Sequence, residues 1–216
     1  LDAIATKGGK NAHHAQSQKA YVDRLYAASG AADCGQMDQM YASVVAESAT
    51  DLEKLGSIMK LYRRLGCTES DVYFAAAENA HKLQPTAESA AGCAQMCIKK
   101  EDYVGAVDYY KQALSMVDND EDKADYLYRM ANVYVAMKNY QQGAAIAQQA
   151  LDVNAEDGRC YLLLGICYAS AKIYDDPILA RSVFWVACDM FRKAKTVDSS
   201  CSSDANKLIA TYSQYF

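Results

Sequence analysis

From Ala87 onward, small and apolar side chains recur at helical spacing, with polar positions between them. Ala90, Cys93, Ala94 and Cys97 share a face at i, i+3, i+4 and i+7, and Tyr103, Ala106, Tyr110, Ala113 and Leu114 form a second stripe directly after it. Leu127, Met130, Ala131 and Tyr134 repeat the first stripe, and Tyr140, Gly143, Ala147, Ala150 and Leu151 repeat the second. A third copy reads Tyr161, Leu164, Gly165 and Tyr168, followed by Ala187, Phe191 and Ala194. The recurring phrase, a small residue then an aromatic or small one then alanine, returns at a period of about 34 residues, the signature of stacked helical hairpins that cannot bury their apolar faces singly. Small residues at Ala94, Ala106 and Ala113 let two helices approach closely, and Tyr110 fills the space beside them.

Two weaker units lie upstream. Leu55, Ile58, Met59 and Tyr62 precede a helix that Ser70 caps and that carries Tyr73, Ala77 and Ala80 before Pro85. Earlier still, Tyr21, Val22 and Leu25 are followed by Met37, Tyr41, Val44 and Val45. The anchors Val44, Ala80, Ala113, Ala150 and Ala194 advance by 36, 33, 37 and 44 positions, so the register persists. The long last step reflects an insertion near 169–178. Asp176-Pro177 then starts a lengthened helix of about 20 residues, or roughly 30 Å. The expected organisation is a single superhelical domain over 1–216: degenerate repeats at about 11–50 and 51–86, clear repeats at 87–120, 124–157 and 158–199, and a capping helix at about 203–215 presenting Leu208, Ile209 and Tyr212 to the stack. The opening Leu1-Asp2-Ala3-Ile4 before Gly8-Gly9 reads as the tail of an earlier helix, so a longer parent chain is expected.

These residues resemble the tetratricopeptide repeat, whose signature runs from a large residue through Leu-Gly or Leu-Ala and Tyr to Ala, Phe or Tyr, and Ala. The resemblance implies an all-α, right-handed solenoid of helix-turn-helix repeats, as in bacterial tetratricopeptide proteins, whose inner helices line a concave groove for a peptide or partner helix. It puts Glu88, Ala91, Gln95 and Lys99, then Asp125, Tyr128, Arg129 and Asn132, then Arg159, Leu162, Ile166 and Ser170 on that surface. Tyr128, Arg129 and Asn132 are favoured, because an amide bonds a peptide backbone and a guanidinium forks a carboxylate. Some relatives clamp a C-terminal carboxylate with Lys, Asn and Arg there; the neighbouring units offer Ala91, Gln95, Leu162 and Ile166 instead, which argues against that clamp. On the opposite, convex side, Arg181, Trp185 and Arg192 share a stripe with Asp189, a composition favoured at interfaces.

Bulk properties narrow the function further. The 216 residues are 51% hydrophobic with two prolines, enough for a continuous core, and period-two runs of β-branched residues are missing. Net charge is −5, and 22 basic residues are dispersed among 27 acidic ones, without the basic stripe of a nucleic-acid binder. The longest apolar stretch, Tyr161 to Tyr168, is far short of the roughly 18–20 residues that span a bilayer, so direct membrane insertion is not expected. Asp118, Asp120 and Asp122 imitate a calcium loop, but Lys123 and Arg129 stand where glycine and glutamate are needed. Cys93 and Cys97 lack two further ligands, and His13, His14 and His81 are scattered, so no metal is expected. Of eight cysteines, Cys34, Cys67, Cys160 and Cys201 fall near helix ends, where disulfides form most easily, and the spacing leaves the pairing open. No catalytic motif and no cofactor motif is present. The reading is a protein-interaction scaffold that takes a protein or peptide, the alternative a spacer or oligomerisation arm of a larger envelope protein; no oligomeric state follows. The tyrosine- and cysteine-rich style resembles bacterial tetratricopeptide proteins exported to the periplasm or envelope, which is favoured over the cytoplasm.

Overall fold

Ten α-helices and two short 3-10 turns, with no strand, make up the residues that the computed structural model describes, 33–171 and 176–215. In chain order they are α1 (Cys34–Glu47), α2 (Leu52–Leu65), α3 (Asp71–Leu83), α4 (Ala87–Lys99), α5 (Tyr103–Met116), α6 (Asp120–Ala136), α7 (Tyr140–Val153), α8 (Gly158–Ser170), α9 (Pro177–Val197) and α10 (Ser202–Tyr212). The expected Tyr21, Val22 and Leu25 helix face, the Gly8-Gly9 break, His13 and His14 lie outside the described residues, as do residues 172–175 of the insertion. Backbone contacts divide the chain into two compact units, one ending at Leu83 and the other beginning at Gln84.

In the first unit, α2 and α3 form the hairpin. Leu55, Ile58, Met59 and Tyr62 make the predicted stripe, and all four are buried, as are Tyr73, Ala76, Ala77 and Ala80 of α3. Asp51 caps α2 by accepting from Lys54 N at 3.1 Å, and Ser70 Oγ accepts from Val72 N at 3.1 Å at the start of α3. Between them Gly66 takes the left-handed conformation, φ +73°, and Cys67 N donates back to Tyr62 O at 2.9 Å. A disulfide joins Cys34, the first residue of α1, to Cys67, with Cα atoms 5.5 Å apart.

The second unit carries the clear repeats as hairpins α4–α5, α6–α7 and α8–α9, each helix packing on its neighbours in the chain. Its core runs continuously from Ala90 to Cys201 and includes the predicted Ala106, Tyr110, Ala113, Ala147 and Ala150. Close approach explains the small positions. A Cβ on Gly143 would lie 3.1 Å from Val135 Cγ2 and 3.3 Å from Cys167 Sγ, so this residue of α7 is wedged between α6 and α8. On Gly165 it would lie 2.8 Å from Phe191 Cδ1, which leaves glycine alone able to face that ring. The lengthened helix is present: α9 spans 21 residues, and Asp176 Oδ1 accepts from Leu179 N at 3.1 Å. The cap, expected at 203–215, is α10 followed by a 3-10 turn at Ser213–Tyr215, and its Leu208, Ile209 and Tyr212 pack beside Ala187, Cys188, Phe191 and Ala205.

Candidate functional site

Helices α6 and α8 touch directly, so the first helices of consecutive repeats share a layer. On α6, Asp125, Tyr128, Arg129 and Asn132 are spaced by 3, 4 and 7 positions and so occupy one face, half-buried. Asn119 begins that helix by accepting from Asp122 N at 2.8 Å. On α8 the cap is Asp157, only 7% exposed, which accepts from the backbone N of Arg159 at 3.0 Å. The same carboxylate receives the Arg159 side chain in a fork, Nε at 3.0 Å and Nη2 at 2.7 Å. That fork fixes where the guanidinium points.

It points at α6. Arg159 Nη1 lies 3.4 Å from Asp125 Oδ1, and its guanidinium carbon sits 4.5 Å from the centroid of the Tyr128 ring. Asp125 Oδ2 in turn accepts from Arg129 Nε at 2.7 Å. Residues 125 and 159 are one full period of 34 positions apart, so this ion pair joins equivalent places on successive repeats. Asn132 Nδ2 donates to Tyr128 O at 2.9 Å, which turns its Oδ1 toward the acceptor role. The structure thus brings Asp125, Tyr128, Arg129, Asn132 and Arg159 into one patch. Gln95 and Lys99 stand on α4, half-buried and exposed respectively.

Electrostatically the patch is balanced, with two guanidinium groups against the carboxylates of Asp125 and Asp157. The hydrogen bonds that Arg159 donates to Asp157 raise its pKa above an already high ordinary value, outweighing partial burial. The partly exposed pairs of Asp125 with Arg129 and Arg159 each contribute about 0–1 kcal/mol. Their larger effect is to hold side chains in place. Arg159 commits three of its five N–H groups to Asp125 and Asp157, leaving two for another acceptor. Below the patch, Tyr110 of α5 is wholly buried, and no hydrogen-bond partner meets its hydroxyl. Burial first, then Asp125, raises its pKa to about 12, against the lowering effect of Arg129.

Two members of this cluster carry no functional mark in the residue pattern. Asp157 reads as a boundary residue, although an aspartate directly before a helix and two positions before an arginine is a readable signal for a cap that also holds a guanidinium. Tyr110 reads as core filler, and only its depth beneath Asp125 and Arg129 gives it an electrostatic role. Leu162 and Ile166, expected on the groove, are partly buried and pack against the cluster of Ala187, Cys188, Phe191 and Ala205. On α9, Trp185 is 55% exposed, Arg181 is exposed, and Arg192 Nη1 binds Asp189 Oδ1 at 2.7 Å. Cys93, Cys97, Cys160, Cys167, Cys188 and Cys201 take no part in a disulfide and all are buried. Burial pushes the Cys160 thiol up to about 12 and Cys167 up to about 11, which holds both as weakly nucleophilic neutral thiols.

No protein-family profile matches the sequence, and neither does any curated protein. Solved structures do match in fold. Two crystal structures of MamA superpose with TM-scores of 0.58 and 0.57 at 17% identity, covering 78% of this chain and 92% and 86% of theirs. YrrB, described as a TPR protein with an unusual peptide-binding site, superposes with a TM-score of 0.50 at 19% identity, covering 81% of this chain and 91% of its own. The chain therefore has the tetratricopeptide-type helical-repeat fold expected from its alanine spacing.

Proposed function

We propose that the chain is a non-enzymatic interaction scaffold that holds an extended segment of a partner protein against the α6–α8 layer, with Tyr128, Asn132 and Arg159 as its principal contacts. The observation that carries this reading is the single connected patch formed by five residues from two consecutive repeats. The Asn132 Oδ1 acceptor and the two remaining Arg159 N–H groups match the alternating donors and acceptors of a peptide backbone. Because the arginines already hold Asp125 and Asp157, the patch suits a backbone or polar side chain better than a terminal carboxylate. Gln95 and Lys99 would extend the contact along α4, and Arg181, Trp185 and Arg192 would offer a second protein-binding stripe on α9. The peptide-binding site named for YrrB supports this reading by analogy of fold. The Cys34–Cys67 disulfide fits an oxidising compartment such as a bacterial envelope.

The spacer reading has one observation in its favour, namely that the charged groups of the patch satisfy one another. The double variant Arg129→Ala/Asn132→Ala separates the two. Asp125 keeps Arg159 when Arg129 is removed, so no carboxylate is orphaned and the melting temperature should move by only about 1–3 °C. A partner captured by the parent chain should bind at least tenfold more weakly to the variant. Undiminished capture by a variant of unchanged stability would reject the groove as the binding surface.

A further inference from the structure

Among the described residues, the packing of helix α1 on α2 and α3 lies on one stripe. Only Met37 and Val45 of its 14 residues are buried, against four of 14 in α2 and six of 13 in α3. Asp38 accepts hydrogen bonds from Tyr62 Oη at 3.1 Å and from Ser70 Oγ, and the Tyr41 ring meets Tyr62 edge-on with centroids 6.1 Å apart. At the start of the helix the Cys34–Cys67 bridge ties α1 to the turn that succeeds α2. Beneath this cover Tyr62 is fully buried, stacked on Tyr73, and burial together with the Asp38 hydrogen bond holds its hydroxyl well above the usual tyrosine range. Among the described residues, few side chains of α1 are buried and one disulfide ties the helix to the turn after α2.

From this arrangement we infer that the Cys34–Cys67 bridge is a redox latch, exchanged by a dithiol partner, whose reduction releases α1 and uncovers the Tyr62–Ser70 face of the α2–α3 hairpin. Cys34 is half-buried whereas Cys67 is 2% exposed, so the incoming thiolate attacks Cys34 Sγ. The S–S bond breaks, Cys67 leaves as a thiolate and takes up a proton, and a mixed disulfide forms on Cys34. The second thiol of the partner then attacks its own sulfur in that mixed disulfide, freeing Cys34 as a thiol and closing the partner's disulfide. Two electrons and two protons pass to the chain, and the dithiol is oxidised. With α2 in place, the segment restrained by the bridge runs from Cys34 to Asp51, roughly 18 residues, and a restraint of that length changes local opening on the order of a hundredfold.

The test is hydrogen exchange read by mass spectrometry on the full chain, with and without dithiothreitol, alongside a count of thiols alkylated after unfolding. Reduction should add two thiols and accelerate exchange across residues 34–47 about a hundredfold, while α6 and α8 keep their rates. The bridge-free variant Cys34→Ser/Cys67→Ser should show the same fast exchange without reductant. Two new thiols with unchanged protection in α1 would mean that packing alone holds the helix and would overturn the latch. So would a bridge that dithiothreitol leaves intact under native conditions, or a loss of protection shared equally by the whole chain.

Discussion

Replacing Tyr110 by phenylalanine removes one oxygen from the floor of the candidate site and asks what that oxygen does. The ring is fully buried, and its hydroxyl has lost water without gaining a hydrogen bond. Arg129 lowers the hydroxyl's pKa, first by its charge and then by a hydrogen-bonding approach that falls short of a formed bond. An unmet buried hydroxyl costs about 1–3 kcal/mol. Against that, deletion leaves a void of roughly one oxygen, about 0.3 kcal/mol at ~24 cal/mol per Å³. Tyr110→Phe should therefore stabilise the fold by about 1 kcal/mol in urea unfolding at pH 7, and the sign is the decisive result. Had the hydroxyl accepted a bond from Arg129, its loss would cost about 1.5–3 kcal/mol, so a variant destabilised by that amount would refute the reasoning.

Alkaline pH gives a second reading of the same group. In the unfolded chain a tyrosine loses its proton near pH 10, whereas Tyr110 in the fold holds it to about 12, chiefly because burial penalises the charged form. A raised folded pKa contributes its full stability below the unfolded value and loses it as pH rises through the folded one. The parent chain should thus weaken between pH 10 and 12 by on the order of 2–3 kcal/mol more than the phenylalanine variant. Every other group is common to both chains, so the difference between the two curves isolates Tyr110. Parallel curves would show that the hydroxyl is better solvated than its burial indicates.

Two further sets of substitutions test the repeat geometry by thermal or urea unfolding. Gly165→Ala should destabilise by about 1–3 kcal/mol, because its methyl would press on the Phe191 ring, whereas Gly56→Ala, with no atom within 4 Å of the new Cβ, should stabilise α2 by about 0.5–1 kcal/mol. Equal effects at the two sites would contradict the close approach of α8 to α9. Glu101 and Lys138 both adopt φ +59°, so Glu101→Gly and Lys138→Gly should each stabilise by about 0.5–1 kcal/mol, and destabilisation by either would show that the side chain compensates the strained turn.

Those two turns show a geometry that the residue types conceal. Position 66 between α2 and α3, 101 between α4 and α5, and 138 between α6 and α7 all take the left-handed conformation, and in each case the next residue's N–H reaches back five positions to a helix carbonyl. The occupants are Gly66, Glu101 and Lys138, so only the first announces the turn by its residue type. The residues immediately after the last two turns are more readable: Asp102 and Asn139 cap the next helices by accepting from Gly105 N and Gln142 N. The core is legible for a different reason. Ala106, Ala113, Ala147, Ala150, Ala187 and Ala194 are all 0% exposed, and only small residues fit where two helix backbones come together, so packing constrains residue type directly.

The candidate site is legible in part because one period fixes it. A repeat of 34 positions places residue 125 over residue 159, so side chains that look independent along the chain become neighbours once the hairpins stack. The sequence could nominate Tyr128, Arg129 and Asn132, with Arg159 on the same surface, because the repeat resemblance assigns that face to the groove. It could not say that Asp125 lies between two guanidinium groups or that Asp157 forks one of them, since those facts depend on side-chain reach across the stack. The difference bears on the chemistry of the proposed ligand. Paired across the repeat boundary with Asp125 and Asp157, the arginines leave a neutral surface whose spare hydrogen-bonding capacity matches a peptide backbone, in line with the absence of clamp residues at Ala91, Gln95, Leu162 and Ile166.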